Sequence, residues 1–292
     1  MPTDVGFWVQ MVMNGIGLGA LLLLIATGLN IIYGISRVIN LAHGSLYALG
    51  AYFGLTLVNN GVNFLLALVI APIIVAIVGV AIERSVIAPI RSRDIVYSLI
   101  LTYGVMVFLD GITRYFWGVQ SHLMQAPSYL TGTVALGELQ YPGYRVFLLL
   151  ATALVMAGLL LLLNKTRMGV AMRAASTIPE MVSVLGINMN LVHMGVFAVG
   201  CALAGIAGVI AGPLLSVYPM MGNEFLISSF VVLVIGGLGS LRGAAVAALL
   251  VGMVQTLGYV FITDYAMVVV YVMMAAVLTF MPRGILGEGM YE

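Results

Sequence analysis

Charge is missing from most of this chain, and that absence constrains the fold more than any motif does. No Asp, Glu, Lys or Arg falls between Asp4 and Arg37, or between Arg37 and Glu83. The same is true from Arg145 to Lys165, Glu180 to Glu224, Glu224 to Arg242, Arg242 to Asp264 and Asp264 to Arg283. A helix needs roughly 20 apolar residues to cross a hydrocarbon core. Lipid offers backbone groups no partner, so a spanning segment must bond within itself. The alternating pattern of a membrane barrel is not seen. Only 7% of the 292 residues are charged and 63% are hydrophobic, with a mean hydropathy of +1.18. Soluble domains carry about 25% charge. The expected fold is an all-α polytopic membrane helix bundle.

Nine apolar segments are expected near 9–33, 41–60, 63–82, 95–112, 146–163, 191–213, 225–240, 243–262 and 265–281. The seventh is short and rich in Gly, so the expectation is about 8–9 transmembrane helices, some broken at Gly. Basic residues orient them. With the N-terminus outside, Arg37, Arg84, Arg91, Arg93, Lys165, Arg167, Arg173, Arg242 and Arg283 lie inside, nine of the eleven basic residues; Arg114 and Arg145 remain outside. The first apolar stretch has no basic leader and is too long for a signal-peptide core, so it reads as a span. The whole chain, 1–292, reads as one membrane domain.

Two hydrophilic segments interrupt the pattern. An external loop, about 113–145, is long for a bare connector and is expected to pack on the outer mouth. A cytoplasmic loop, about 164–190, contains Thr177-Ile178-Pro179-Glu180, which reads as a capping box with Pro in the first turn. Gly186 supplies a stop. The prediction is a short cytoplasmic helix over 178–185. Met181, Val182, Val184 and Leu185 make it too apolar to sit in water. It lies on the membrane, docks in a groove of a partner protein, or is a packed connector.

Small residues recur. The run from Ala202 to Gly212 offers a face for close helix packing. Gly236-Gly237-Leu238-Gly239-Ser240, followed by Gly243, reads as a break or tight reversal near the inner face. Asp110 and Arg114 are spaced for an i,i+4 pair.

Chemistry is sparse. Lys165 is the only lysine, and no glycine-rich loop precedes it, so the chain has no P-loop. His43, His122 and His193 are far apart and without carboxylate company, which argues against a metal. No nucleophile–base pair stands out, and no basic patch suits nucleic acid. Cys201 is the single cysteine, so no internal disulfide forms. Polar residues within spans are costly and face a cavity or another helix. Asn30, Asn40, His43, Ser45 and Tyr47 form the richest such cluster. They line a path for a zwitterionic solute, or they bond helix to helix. At this level the chain reads as an ABC permease, a channel, or a stand-alone secondary transporter or facilitator for a small polar solute.

Longer motifs narrow this. The stretch from Tyr33 to Tyr52, centred on Asn40-Leu41-Ala42-His43-Gly44-Ser45, comes first in the chain. Arg167-Met168-Gly169, Arg173-Ala174, Leu185-Gly186-Ile187-Asn188, the Gly236–Ser240 turn and Pro282-Arg283-Gly284-Ile285-Leu286-Gly287 follow in order. Together they resemble the branched-chain amino-acid ABC permeases of the LivH type, nearly end to end. That resemblance implies one half of a gated path in the bacterial inner (plasma) membrane. It implies a heterodimer with a LivM-like sister subunit, two ABC ATPase subunits and a periplasmic solute-binding protein. ATP and Mg would sit on the partners, with no cofactor, catalytic residue or metal in this chain. It also implies that the short helix is a coupling helix. Arg173, Thr177, Glu180, Met181, Val184, Leu185, Gly186 and Asn188 would then form the ATPase-coupling segment. Many relatives carry Glu where this chain has Ser45, and some carry Lys where it has Ser228.

Overall fold

The computed structural model describes residues 5–91, 93–136 and 139–287. Eleven helices dominate it among the described residues: α1 (Val5–Ser36), α2 (His43–Asn59), α3 (Phe64–Ile82), α4 (Ile95–Trp117), α5 (Gly143–Lys165), α6 (Arg167–Thr177), α7 (Pro179–Val184), α8 (Met189–Ala211), α9 (Met221–Gly236), α10 (Leu241–Phe261) and α11 (Ala266–Phe280). One hairpin, β1 (Thr133–Leu136) with β2 (Leu139–Pro142), lies in the external loop.

Each of the nine apolar segments is a helix, but only seven helices are long and apolar enough to cross a membrane. The two that fall short are α2 and α9, of 17 and 16 residues, whereas α11 reaches 18 residues together with the 3-10 turn Thr263–Tyr265 that leads into it. At about 1.5 Å per residue α2 and α9 reach roughly 25 Å, less than the ~30 Å hydrocarbon core. Both are largely buried, so other helices shield their ends from lipid.

Two long helices form the centre. The apolar window of α1 is 83% buried and that of α8 is 67%, against 17% for α4 and 11% for α11. Helix α8 packs on α1, α2 and α3, while α10 lies against α1. Small residues make this possible, as the Ala202–Gly212 run suggests. A Cβ on Gly50 of α2 would meet the Gly205 carbonyl of α8 at 2.6 Å. A Cβ on Gly205 would meet Pro72 Cα of α3 at 2.9 Å. Apolar burial gives no drive to join helices within lipid; close packing and interhelical hydrogen bonds do.

The chain reverses at Arg37, whose φ of +53° is the left-handed conformation that permits the turn. Residues 38–41 then run back into the bundle outside any helix. Thr102 of α4 satisfies this backbone: its hydroxyl donates to the Ile39 carbonyl (3.0 Å) and accepts from the Leu41 amide (3.2 Å). Irregular backbone at membrane depth is tolerated only inside protein. Helix α2 therefore starts deep, with His43 Nε2 3.1 Å from the Ile25 carbonyl of α1.

The 113–145 segment, expected to be external, packs on one end of the bundle. Trp117 donates from Nε1 to Thr56 Oγ1 (2.8 Å) and stacks on Tyr52. His122 exchanges backbone bonds with Val217, both 2.9 Å. Residues 137 and 138 of that loop, and residues 1–4 and 288–292 at the chain ends, lie outside the described set.

Candidate translocation path and cytoplasmic docking surface

On the side of the bundle away from the basic loops, α1, α9, α10, α11 and the 212–220 loop surround a cavity of about 310 Å³. One side is apolar, with Leu18, Leu22, Met221, Phe225 and Met267. The other carries Ser216, Tyr218, Glu224, Ser228, Gln255 and Tyr259. Glu224 lies in the first turn of α9, where a carboxylate suits the helix dipole. Tyr218 lies beside Glu224; burial first, then the neighbouring carboxylate, push its phenol up to about 12. It therefore stays a protonated donor at neutral pH. Gln255 is buried in α10. Its Nε2 lies 3.5 Å from both the Tyr259 hydroxyl and Met267 Sδ, while Oε1 has no protein partner among the described residues.

None of the five residues singled out in the sequence as a path lines this cavity. Asn30 clips the glycine turn: Oδ1 accepts from the Gly239 amide (2.7 Å) and Nδ2 donates to the Ser240 carbonyl (2.8 Å). Ser45 donates to Asp110 Oδ1 of α4 at 2.6 Å. His43 is fully buried against Ile25. Asn40 is buried with neither end of its amide bonded. Tyr47 is closest to the cavity; its ring centroid lies 5.0 Å from that of Phe225, a lining residue.

The expected Asp110–Arg114 pair is not formed. Asp110 accepts from the buried Ser45 hydroxyl, while Arg114 is exposed. A fixed, buried hydroxyl outcompetes a cation reaching from the helix surface. Glu83 and Arg91 make the single salt bridge among the described residues. Arg91 also donates to Asn190 (3.4 Å), and nearby Ser36 bonds His193 Nδ1 (2.8 Å). These contacts join α1, the cytoplasmic extension of α3 and the start of α8, and motif reading did not single them out.

The glycine turn does reverse the chain. Gly237 and Gly239 have φ of +99° and +90°. The Ser240 hydroxyl accepts from the Gly243 amide (3.1 Å) and caps α10. Gly236 and Gly243 touch backbone to backbone. The 282–287 segment lies on this turn, with Ile285 N donating to Ile235 O at 2.8 Å.

In the loop expected to be cytoplasmic the short helix is Pro179–Val184, two residues less than predicted. The capping box is not made. Thr177 ends α6 and its hydroxyl donates back to the Arg173 carbonyl (3.3 Å), so the cap of α7 falls to Ile178, which has no side-chain oxygen. Helix α6 was not foreseen; it competes for Thr177 and wins because it is already wound. Gly186, at φ +78°, stops the segment as expected. Asn188 caps α8, accepting from the Asn190 amide (3.0 Å). Arg173 is turned to Asn164 of α5. The surface between these braces is apolar. Met181, Val184 and Leu185 are 54%, 81% and 71% exposed, Glu180 is exposed beside them, and Val182 alone is buried.

The comparisons agree with this architecture. The pattern defining the family described as "Branched-chain amino acid transport system / permease component" matches residues 11–278. The chain is 32% identical to the high-affinity branched-chain amino acid transport system permease protein BraD of Pseudomonas aeruginosa, over 99% of this chain and 98% of that one. It is 32% identical to LivH of Escherichia coli K12, of the same description, over 97% and 96%. A probable LivH permease of Methanocaldococcus jannaschii is 27% identical over 91% and 89%. With its seven span-length helices, this chain is a multi-pass membrane protein that belongs to the branched-chain amino acid permease family.

Proposed function

We propose that this chain is the permease subunit of an ATP-driven importer of the inner membrane. It forms one half of the path for branched-chain or similar amino acids. A sister permease, two ATPase subunits and an external solute-binding protein complete the assembly, and ATP with Mg is held by the ATPases. The observation that carries this reading is the bare apolar surface of Met181, Val184 and Leu185. It sits between two braced helices on the basic, inner side. Large exposed apolar patches rimmed by polar groups mark docking sites. A force applied there passes through α6 to α5 and through Asn188 to α8.

The experiment is to replace Met181 and Leu185 with Asp in the assembled complex and to measure ATP hydrolysis and amino-acid uptake together. The expected result is hydrolysis that no longer responds to loaded binding protein and uptake reduced at least tenfold. Unaltered coupling overturns the docking role.

One observation favours a second reading. Asp110 is a buried carboxylate inside a span, and such groups serve ion-coupled carriers. Vesicles containing this chain alone separate the two. Accumulation driven by an ion gradient, without ATPase subunits, selects the carrier.

A further inference from the structure

The outer cavity has an unusual donor and acceptor balance. Its polar side consists of a carboxylate, an amide oxygen, two phenols and two hydroxyls; no Lys, Arg or His lines it. Gln255 is 7% exposed, and its Oε1 is left unbonded while Nε2 faces two acceptors. A buried unpaired oxygen is costly and calls for a donor. Glu224 is exposed at the mouth beside Tyr218, and its carboxylate oxygens offer several acceptor sites. The lining also holds the apolar Leu18, Leu22 and Phe225. About 310 Å³ is at the lower end of the volume of small-molecule pockets.

We propose that this cavity is a station for the ammonium end of a small aliphatic solute, with Glu224 and Gln255 Oε1 accepting its N–H groups. The aliphatic body lies on Leu18, Leu22 and Phe225. The absence of any cation from the lining leaves a carboxylate to the open side. The site therefore admits a primary ammonium with a branched or straight carbon skeleton and rejects an acid of the same skeleton that lacks the ammonium. This inference rests on the permease reading and adds to it which residues choose the solute and by which group.

The test uses the assembled complex without its solute-binding protein, so that selection by that protein does not enter. Ser216→Cys places a thiol at the cavity, and the native Cys201 is fully buried. Labelling by a water-soluble maleimide is followed with leucine, 3-methylbutylammonium or 4-methylpentanoate present. Leucine and the ammonium are expected to slow labelling at least fivefold, and the pentanoate to leave it unchanged. Glu224→Gln in the same background is expected to raise the protecting leucine concentration about tenfold, the cost of one lost charge-assisted bond. Glu224→Asp keeps the charge and is expected to restore part of the protection, which separates charge from folding. Equal protection by the pentanoate, protection that survives Glu224→Gln, or no protection by any probe overturns the proposal. ATP-driven leucine uptake by the same complex, with binding protein added, reports on the permease reading separately. Uptake without protection sinks this site alone, whereas protection without uptake sinks the importer.

Discussion

The inner helices α2 and α9 and the outer helices α5 and α11 are built on opposite principles. The inner pair is too short to cross lipid unaided, and it carries Ser45, Tyr47, Asn223, Glu224 and Ser228. The outer pair is long enough and mostly apolar, and its side chains face out: Leu150, Leu154 and Val272 are 66%, 75% and 61% exposed. The difference teaches where specificity of packing resides. In the interior, each contact is a fixed distance between backbones or a named hydrogen bond. In the shell, lipid replaces the neighbour, and one apolar side chain serves as well as another.

That contrast is easiest to break at Gly44. A Cβ there would lie 2.8 Å from Leu226 Cβ and would overlap the Gly222 carbonyl, so α2 and α9 must part. Gly44→Val is expected to destabilise the bundle by about 3 kcal/mol and to cut the yield of folded permease, read by thermal unfolding in detergent. A normal melting curve would show that the interior is looser than the contact implies.

A smaller effect is expected at the Ser45–Asp110 bond. Bonds to charged groups contribute about 1.5–3 kcal/mol. A double-mutant cycle with Ser45→Ala and Asp110→Ala should give a coupling energy in that range. Additive losses would mean that the two groups meet without consequence, and the inner region would then hold by shape alone. The smallest effect is expected in the shell. Leu154→Ala should change stability by no more than about 0.5 kcal/mol, because lipid fills the space. A loss several times larger would place Leu154 against another protein.

Much of this division could be read from residue order. Uncharged stretches locate the spans other than α4, which carries Asp110 and Arg114, because each charge left in lipid carries a high cost. Gly186 and the Gly236–Gly243 turn were legible because left-handed backbone and backbone contact demand glycine. The polar site was not. Gln255 and Glu224 sit on different helices, and only the packing of α9 beside α10 brings them to one wall. Their signal is faint, each being an isolated polar or acidic residue in a long apolar stretch, beside the denser Asn40–Tyr47 run. There the polar groups serve largely to hold a re-entrant segment and a glycine turn. The Thr177–Glu180 pattern misled for a simpler reason. A side chain within reach of two helices caps neither when the first continues through it.

The account depends most on where the apolar face of α7 rests. Val184 is its most exposed large residue, and Val184→Cys adds a reactive thiol there, since Cys201 is fully buried. A short bifunctional thiol reagent applied to the assembled complex should join residue 184 to an ATPase subunit, and adding ATP should change the yield. Reaction of that thiol at the same rate with and without ATPase subunits, and no cross-link between them, would contradict the account.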